Sequence, residues 1–434
     1  MASAITTRSA SRVALVLPGG GARGAYEAGA LSVLLPALEA RGERVSIVCG
    51  TSVGAINAAV VGSLADRPAE EAAREIVARW LEMRRGDVLR RMVSPRLGVK
   101  LVRALGEAFE VPGMRLPSLL DPAPLAGSLD RWIDWMALHR NVKHGVIDAV
   151  CVVATGLSRG RPVAFTESTS APPSSPPSSK LDYVSATLSG EHVRASAAIP
   201  LLFPPVEVTS PAAAADHYID GGTRLNAPLA PALALGADRV VVIGFEPFAG
   251  GAERERVRTP RLADVTANVL DGLLVDQVAD DLHRLAAINS FFVEGSSAAS
   301  SARSYRAAGG RPAYRRVSYA LVAPSRRGEI GELAAEVLAS RYGGWRQLRD
   351  PDYLLLSRLL GNGPSRGELL SFLLFDERFV AELVALGRAD AERWIARHPS
   401  FWCSDAAHDL DVAPASAASH DARTLDEFRA LRRR

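Results

Sequence analysis

Apolar positions along this chain follow two rhythms. Short strand-like runs rich in apolar and β-branched residues fall at residues 13–18 (VALVLP), 45–49 (VSIVC), 149–155 (AVCVVAT), 236–247 (GADRVVVIGFEP) and 317–323 (VSYALVA). Runs of this kind predict strands buried on both faces, as in a parallel sheet. Between them lie stretches of helical spacing: residues 25–40, the Ala-rich run after Gly54, and 68–85 with its alternating charges. Residues 162–166 predict a strand beside 149–155, and Tyr218-Ile219 a short one ending at Asp220. Strands alternating with helices predict an α/β fold around a mainly parallel sheet. Residues 330–400 are helical by period, and LLSFLLFDERFVAELVALGRADAERWIARH reads as one helix. Its first half is apolar nearly all round, which predicts burial within the protein, with a membrane or partner as the second reading. The boundaries that follow are an α/β domain over 12–325, a helical extension over 326–403 and a flexible tail over 404–434. The Pro/Ser tract within 168–180 cannot build a core and predicts a mobile, exposed loop inside the first domain.

Composition narrows the class. A hydrophobic fraction of 48% and a charged fraction of 23% suit an ordinary globular protein. The net charge of +3 and 6% aromatics argue against nucleic acid as a partner. Cys49, Cys151 and Cys403 are too widely spaced for a metal site, and no acidic calcium loop appears, so neither metal nor cofactor is expected. The first residues lack the apolar core of a signal peptide, and no uncharged apolar run reaches about 18 residues. A cytoplasmic protein is the expectation. Arg84, Arg85, Arg90, Arg91, Arg96, Lys100 and Arg103 alternate with apolar residues. That pattern predicts a solvated helix face, and reversible contact with an anionic bilayer surface is the alternative.

Two glycine-rich turns carry candidate chemistry. Gly50-Thr51-Ser52-Val53-Gly54 joins a strand to an Ala-rich helix, the form of a nucleophile elbow with Ser52 at its apex. So sharp a turn crowds its neighbours, and Gly50 and Gly54 relieve the clash. Ser52 would then sit at a helix N-terminus, where free N–H groups favour developing negative charge. The loop Gly19-Gly20-Gly21-Ala22-Arg23-Gly24 follows the first strand and opens the first helix. Gly19, Gly21 and Gly24 also fit the dinucleotide spacing G-x-G-x-x-G. That spacing needs an acidic residue ending the second strand, whereas Glu39 and Glu43 precede the strand here. An oxyanion hole facing Ser52 is the other reading. Arg23 would either add positive charge there or pair with a surface carboxylate. Asp220, before Gly221-Gly222, reads by itself as a turn former. A conventional triad would need a histidine: His192 and His217 precede Asp220, and only His283, His398, His408 and His420 follow it.

Taken together, the glycine loop, the elbow, the block Ala195-Ser196-Ala197-Ala198-Ile199-Pro200, the triplet Asp220-Gly221-Gly222 and Asn226-Ala227-Pro228 resemble, in order, the motifs of patatin-like phospholipases. The resemblance spans roughly residues 12–250. It implies a three-layer α/β/α sandwich and a lipid acyl hydrolase using a Ser–Asp dyad without histidine. Ser52 would be the nucleophile and Asp220 the base, with Gly20, Gly21 and Ala22 supplying oxyanion N–H groups. The substrate implied is a lipid or phospholipid ester. A nucleotide-binding α/β enzyme and a non-catalytic membrane-surface module on the same fold remain the alternatives, and the oligomeric state is open.

Overall fold

The computed structural model describes residues 11–90, 118, 120–173, 175, 179–247, 285, 289, 304, 316–342 and 366–403. Part of the Pro/Ser tract, the basic residues from Arg91 to Arg103, residues 353–360 and the tail from 404 lie outside this set.

Among the described residues nine strands form one sheet: β1 (Val13–Leu17), β2 (Val45–Thr51), β3 (Ala149–Gly156), β4 (Arg161–Ser168), β5 (Asp182–Ser185), β6 (Val206–Val208), β7 (Asp216–Asp220), β8 (Arg239–Ile243) and β9 (Ser318–Val322). The order is β5-β4-β3-β2-β1-β8-β9, with β7 also pairing β3 and β6 pairing β7. The pairs β1–β2, β1–β8, β2–β3, β4–β5 and β8–β9 are parallel. The pairs β3–β4, β3–β7 and β6–β7 are antiparallel. The sheet is therefore mainly parallel, and the segment at 317–323 closes one edge of it.

The continuous apolar runs have the cause expected of them. Val13, Leu15 and Leu17 of β1 join one hydrophobic cluster, while Ala14 and Val16 join a second on the opposite face. Both faces are covered, so alternation vanishes. Helices that pack on the first face include α1 (Gly24–Ala40), α2 (Val53–Ser63) and α3 (Ala69–Glu82).

The long apolar stretch near the C-terminus is not a single helix. It divides into Arg366–Leu373 and Glu377–Arg397. Asp376 breaks it: its carboxylate accepts from Arg378 N–H (2.9 Å) and Phe379 N–H (3.4 Å), an N-cap that starts a new helix. The second of these helices lies on α1 at backbone distance. A Cβ built on Gly29 would meet the Val384 carbonyl oxygen at 2.1 Å, and one on Gly387 the Tyr26 carbonyl oxygen at 2.1 Å. Tyr26 adds a buried bond to Asp390 (2.8 Å). Among the described residues no helix is long and apolar enough to cross a membrane.

Candidate active site

The site assembles at the C-terminal ends of β2, β3 and β7, and register does the assembling. Thr51 of β2 lies opposite Val153 of β3. Ala154, one residue on, lies opposite Asp220 of β7. Strand β3 thus brings two segments 168 residues apart to adjacent positions. The Ser52 hydroxyl donates to Asp220 Oδ2 at 2.6 Å.

Ser52 adopts φ 54° and ψ −121°, a region that L residues with a Cβ rarely occupy. Its flanking glycines are sterically compelled. A Cβ on Gly50 would lie 2.1 Å from the Gly54 carbonyl oxygen, and one on Gly54 2.0 Å from the Leu17 carbonyl oxygen. The elbow is pinned from below by Ser196. Its Oγ accepts from Ser52 N–H (2.8 Å) and donates to the Val153 carbonyl (2.5 Å). Ser196 belongs to the short helix Gly190–Ser196, and along the sequence only its place in the Ala195–Pro200 block marks it.

Asp220 is buried, 1% exposed. Burial raises its carboxyl to about 7; hydrogen bonds from Ser52 and from Gly222 N–H act in the opposite direction without cancelling it. The Gly222 N–H donates to Oδ1 at 2.7 Å, so the two carboxyl oxygens have separate partners. Gly221 lets the turn lie on β3: a Cβ there would stand 2.3 Å from the Val153 carbonyl oxygen.

The glycine loop faces this pair. A Cβ on Gly19 would approach Ser52 Cβ to 3.0 Å, and Gly19 N–H donates to Asn226 Oδ1 (3.0 Å). Among the described residues nothing accepts from the N–H groups of Gly20, Gly21 or Ala22. Gly21 takes φ +59°, and Gly24 packs on Val53 and Trp80. Arg23 differs from both expectations for it. It does pair with a carboxylate, but deep in the protein: it is 2% exposed and bonded to Glu368 and Ser371 of the C-terminal helix Arg366–Leu373.

Ser52 opens onto an apolar cavity. Gly21, Val53, Ile56, Trp80, Met83, Leu125, Trp132, Ile199, Phe203, Phe372, Leu373 and Phe375 line it. The aromatic and C-terminal members of this wall carry no signal in the sequence, because apolar residues in helices read as core.

Among the described residues no histidine bonds to Ser52 or to the Asp220 carboxylate. His192 donates from Nε2 to the Ser210 carbonyl (2.9 Å), accepts at Nδ1 from Ser189 N–H (3.2 Å), and packs on Phe165; burial lowers its pKa. His398 stacks on Trp394 past the end of the last helix. His217 is exposed on β7. His283, His408 and His420 lie outside the described residues. Among the described residues no cluster of metal-ligating side chains occurs.

An elbow serine on a parallel strand, a buried carboxylate beside it and a glycine loop above are the marks of an α/β acyl hydrolase. Comparison of the sequence with family models agrees. Residues 15–233 match the patatin-like phospholipase model, and the chain belongs to that family of lipid acyl hydrolases. No curated protein matches the chain. Among solved structures it is similar to the crystal structure of VipD from Legionella pneumophila. The two are 13% identical with a TM-score of 0.33, over 90% of this chain and 67% of that one. A likeness so distant adds nothing to the assignment.

Proposed function

We infer that this protein cleaves carboxylic esters of lipids through an acyl-serine intermediate, with Ser52 as nucleophile and Asp220 as base. The observation that carries the reading is the 2.6 Å contact between the Ser52 hydroxyl and a buried carboxylate, at the mouth of an apolar cavity. Asp220 takes the Ser52 proton as Oγ attacks the acyl carbonyl carbon. The resulting oxyanion accepts from the N–H groups of Gly20, Gly21 and Ala22, which have no acceptor among the described residues. Asp220 then returns the proton to the departing alcohol. Water repeats the cycle on the acyl-serine and releases the fatty acid. A carboxyl raised to about 7 is a far better base near neutral pH than an ordinary aspartate. The acyl chain lies in the cavity beneath Trp80 and Phe372, and the α/β unit over 12–325 holds the reacting groups.

The same loop does not suit a dinucleotide. A dinucleotide site needs an acidic residue ending the second strand, whereas β2 here ends Cys49-Gly50-Thr51 and runs directly into Ser52.

Covalent labelling with a fluorophosphonate, followed by peptide mass spectrometry, tests the reading. The adduct is expected on Ser52, and Ser52→Ala is expected to lose both labelling and turnover of p-nitrophenyl acyl esters. Unchanged turnover by Ser52→Ala would overturn it.

A further inference from the structure

The family match ends at residue 233, yet the glycine loop is tied to a helix that begins at Arg366. Arg23 sits inside that loop and makes no bond toward Ser52. Its guanidinium turns the other way. Nε donates to Ser371 Oγ (2.6 Å), and one terminal nitrogen donates to the Glu368 carbonyl (2.8 Å) and pairs with the Glu368 carboxylate. The guanidinium also lies over the Phe372 ring, 4.3 Å from its centroid. The contact is close on the backbone side too: a Cβ on Gly21 would stand 2.2 Å from the Phe372 carbonyl oxygen. One helix therefore holds the loop by a buried ion pair, a hydroxyl, a ring face and its own main chain. The loop N–H groups depend for their direction on an element outside the family region.

We propose that Glu368 and Ser371 are positioning residues for the oxyanion loop, acting through Arg23, so that the C-terminal helix Arg366–Leu373 is a working part of the active site. The proposal rests on the acyl-serine reading above. Neither residue touches substrate. They fix the loop in the orientation that the tetrahedral intermediate needs, and a small displacement of such donors costs far more in turnover than in substrate binding.

The test uses the full chain and three variants. Glu368→Ala removes the acceptor, Glu368→Gln keeps a hydrogen-bonding group of the same size, and Val337→Ala removes buried packing from the neighbouring helix Glu329–Tyr342 without touching the loop. With p-nitrophenyl butyrate, Glu368→Ala is expected to lower kcat by ~30- to 100-fold with KM within about twofold. Glu368→Gln is expected to recover most of that loss. Affinity for an alkyl trifluoromethyl ketone, whose serine adduct carries the oxyanion, should fall in step with kcat. Affinity for the matching fatty acid should not move. Val337→Ala should lower the melting temperature and leave kcat alone. Equal kcat losses in Glu368→Ala and Val337→Ala, or equal weakening of ketone and fatty acid, would overturn the positioning role. Ketone binding and turnover that survive Ser52→Ala would instead overturn the acyl-serine reading.

Discussion

Replacing Asp220 by Asn should abolish turnover and make the protein more stable, and the gain should grow with pH. The reason is the position of the carboxyl. In the unfolded chain it ionises near ~3.9. In the folded protein, burial holds it at about 7. The folded state therefore binds the proton more tightly between those values. Stability is greatest below the unfolded pKa and is lost as pH rises through the window to about 7. Each pH unit in that window is worth ~1.4 kcal/mol, so about two units between pH 5 and pH 7 amount to ~3 kcal/mol. Asn carries no such term. It also fits the contacts: its oxygen can keep the bond from Gly222 N–H, and its NH2 can donate to Ser52 Oγ in place of the bond seen now.

Urea unfolding of both proteins at pH 5 and pH 8.5 measures this directly. The stability advantage of Asp220→Asn is expected to widen by ~3 kcal/mol between the two pH values, with no change in the urea slope. A difference that is the same at both would refute the claim that Asp220 is a buried carboxyl held in its protonated range. Loss of activity alone does not make the point, since misfolding also destroys activity. A variant that is inactive and yet sturdier identifies a group kept at a cost to stability for its chemistry.

Further expectations concern the same frame. The rate constant kcat/KM should rise with pH around a midpoint near 7, following ionisation of Asp220; a flat profile from pH 5.5 to 8.5 would count against Asp220 as base. Ser196→Ala leaves the Ser52 N–H and the Val153 carbonyl without their partner; a loss of ~2 kcal/mol in unfolding free energy and slower fluorophosphonate labelling are expected. Gly54→Ala forces a Cβ into the Leu17 carbonyl, and a loss of ~3 kcal/mol or more, read by thermal melting, is expected. Asp376→Ala removes the N-cap of the last helix and the buried acceptor for Tyr342, and should cost ~2 kcal/mol by the same measurement with labelling of Ser52 retained.

The parts of this architecture that could be read along the chain are those whose cause is local. Strands β1, β2, β3 and β8 announce themselves because burial on both faces demands an unbroken apolar run. The elbow announces itself because only glycine fits at Gly50 and Gly54. What makes a site of these pieces is not local. Asp220 reaches Ser52 through the register of β3 with two different neighbours, and Arg23 finds Glu368 across 345 residues. Neither pairing has a spacing that propensity could encode. The break at Asp376 is a different case: the apolar pattern runs straight through it, and only the capping chemistry of the aspartate marks a new start. The docking of that last helix left a sign as well. Glycine in a helix interior is destabilising by ~0.5–1 kcal/mol against alanine, so a helical glycine raises the question of what approaches it. At Gly29 and Gly387 the answer is each other's helix, main chain against main chain. Those two positions, far apart in sequence and each unexplained within its own helix, are where the family domain and the C-terminal segment become one packed unit.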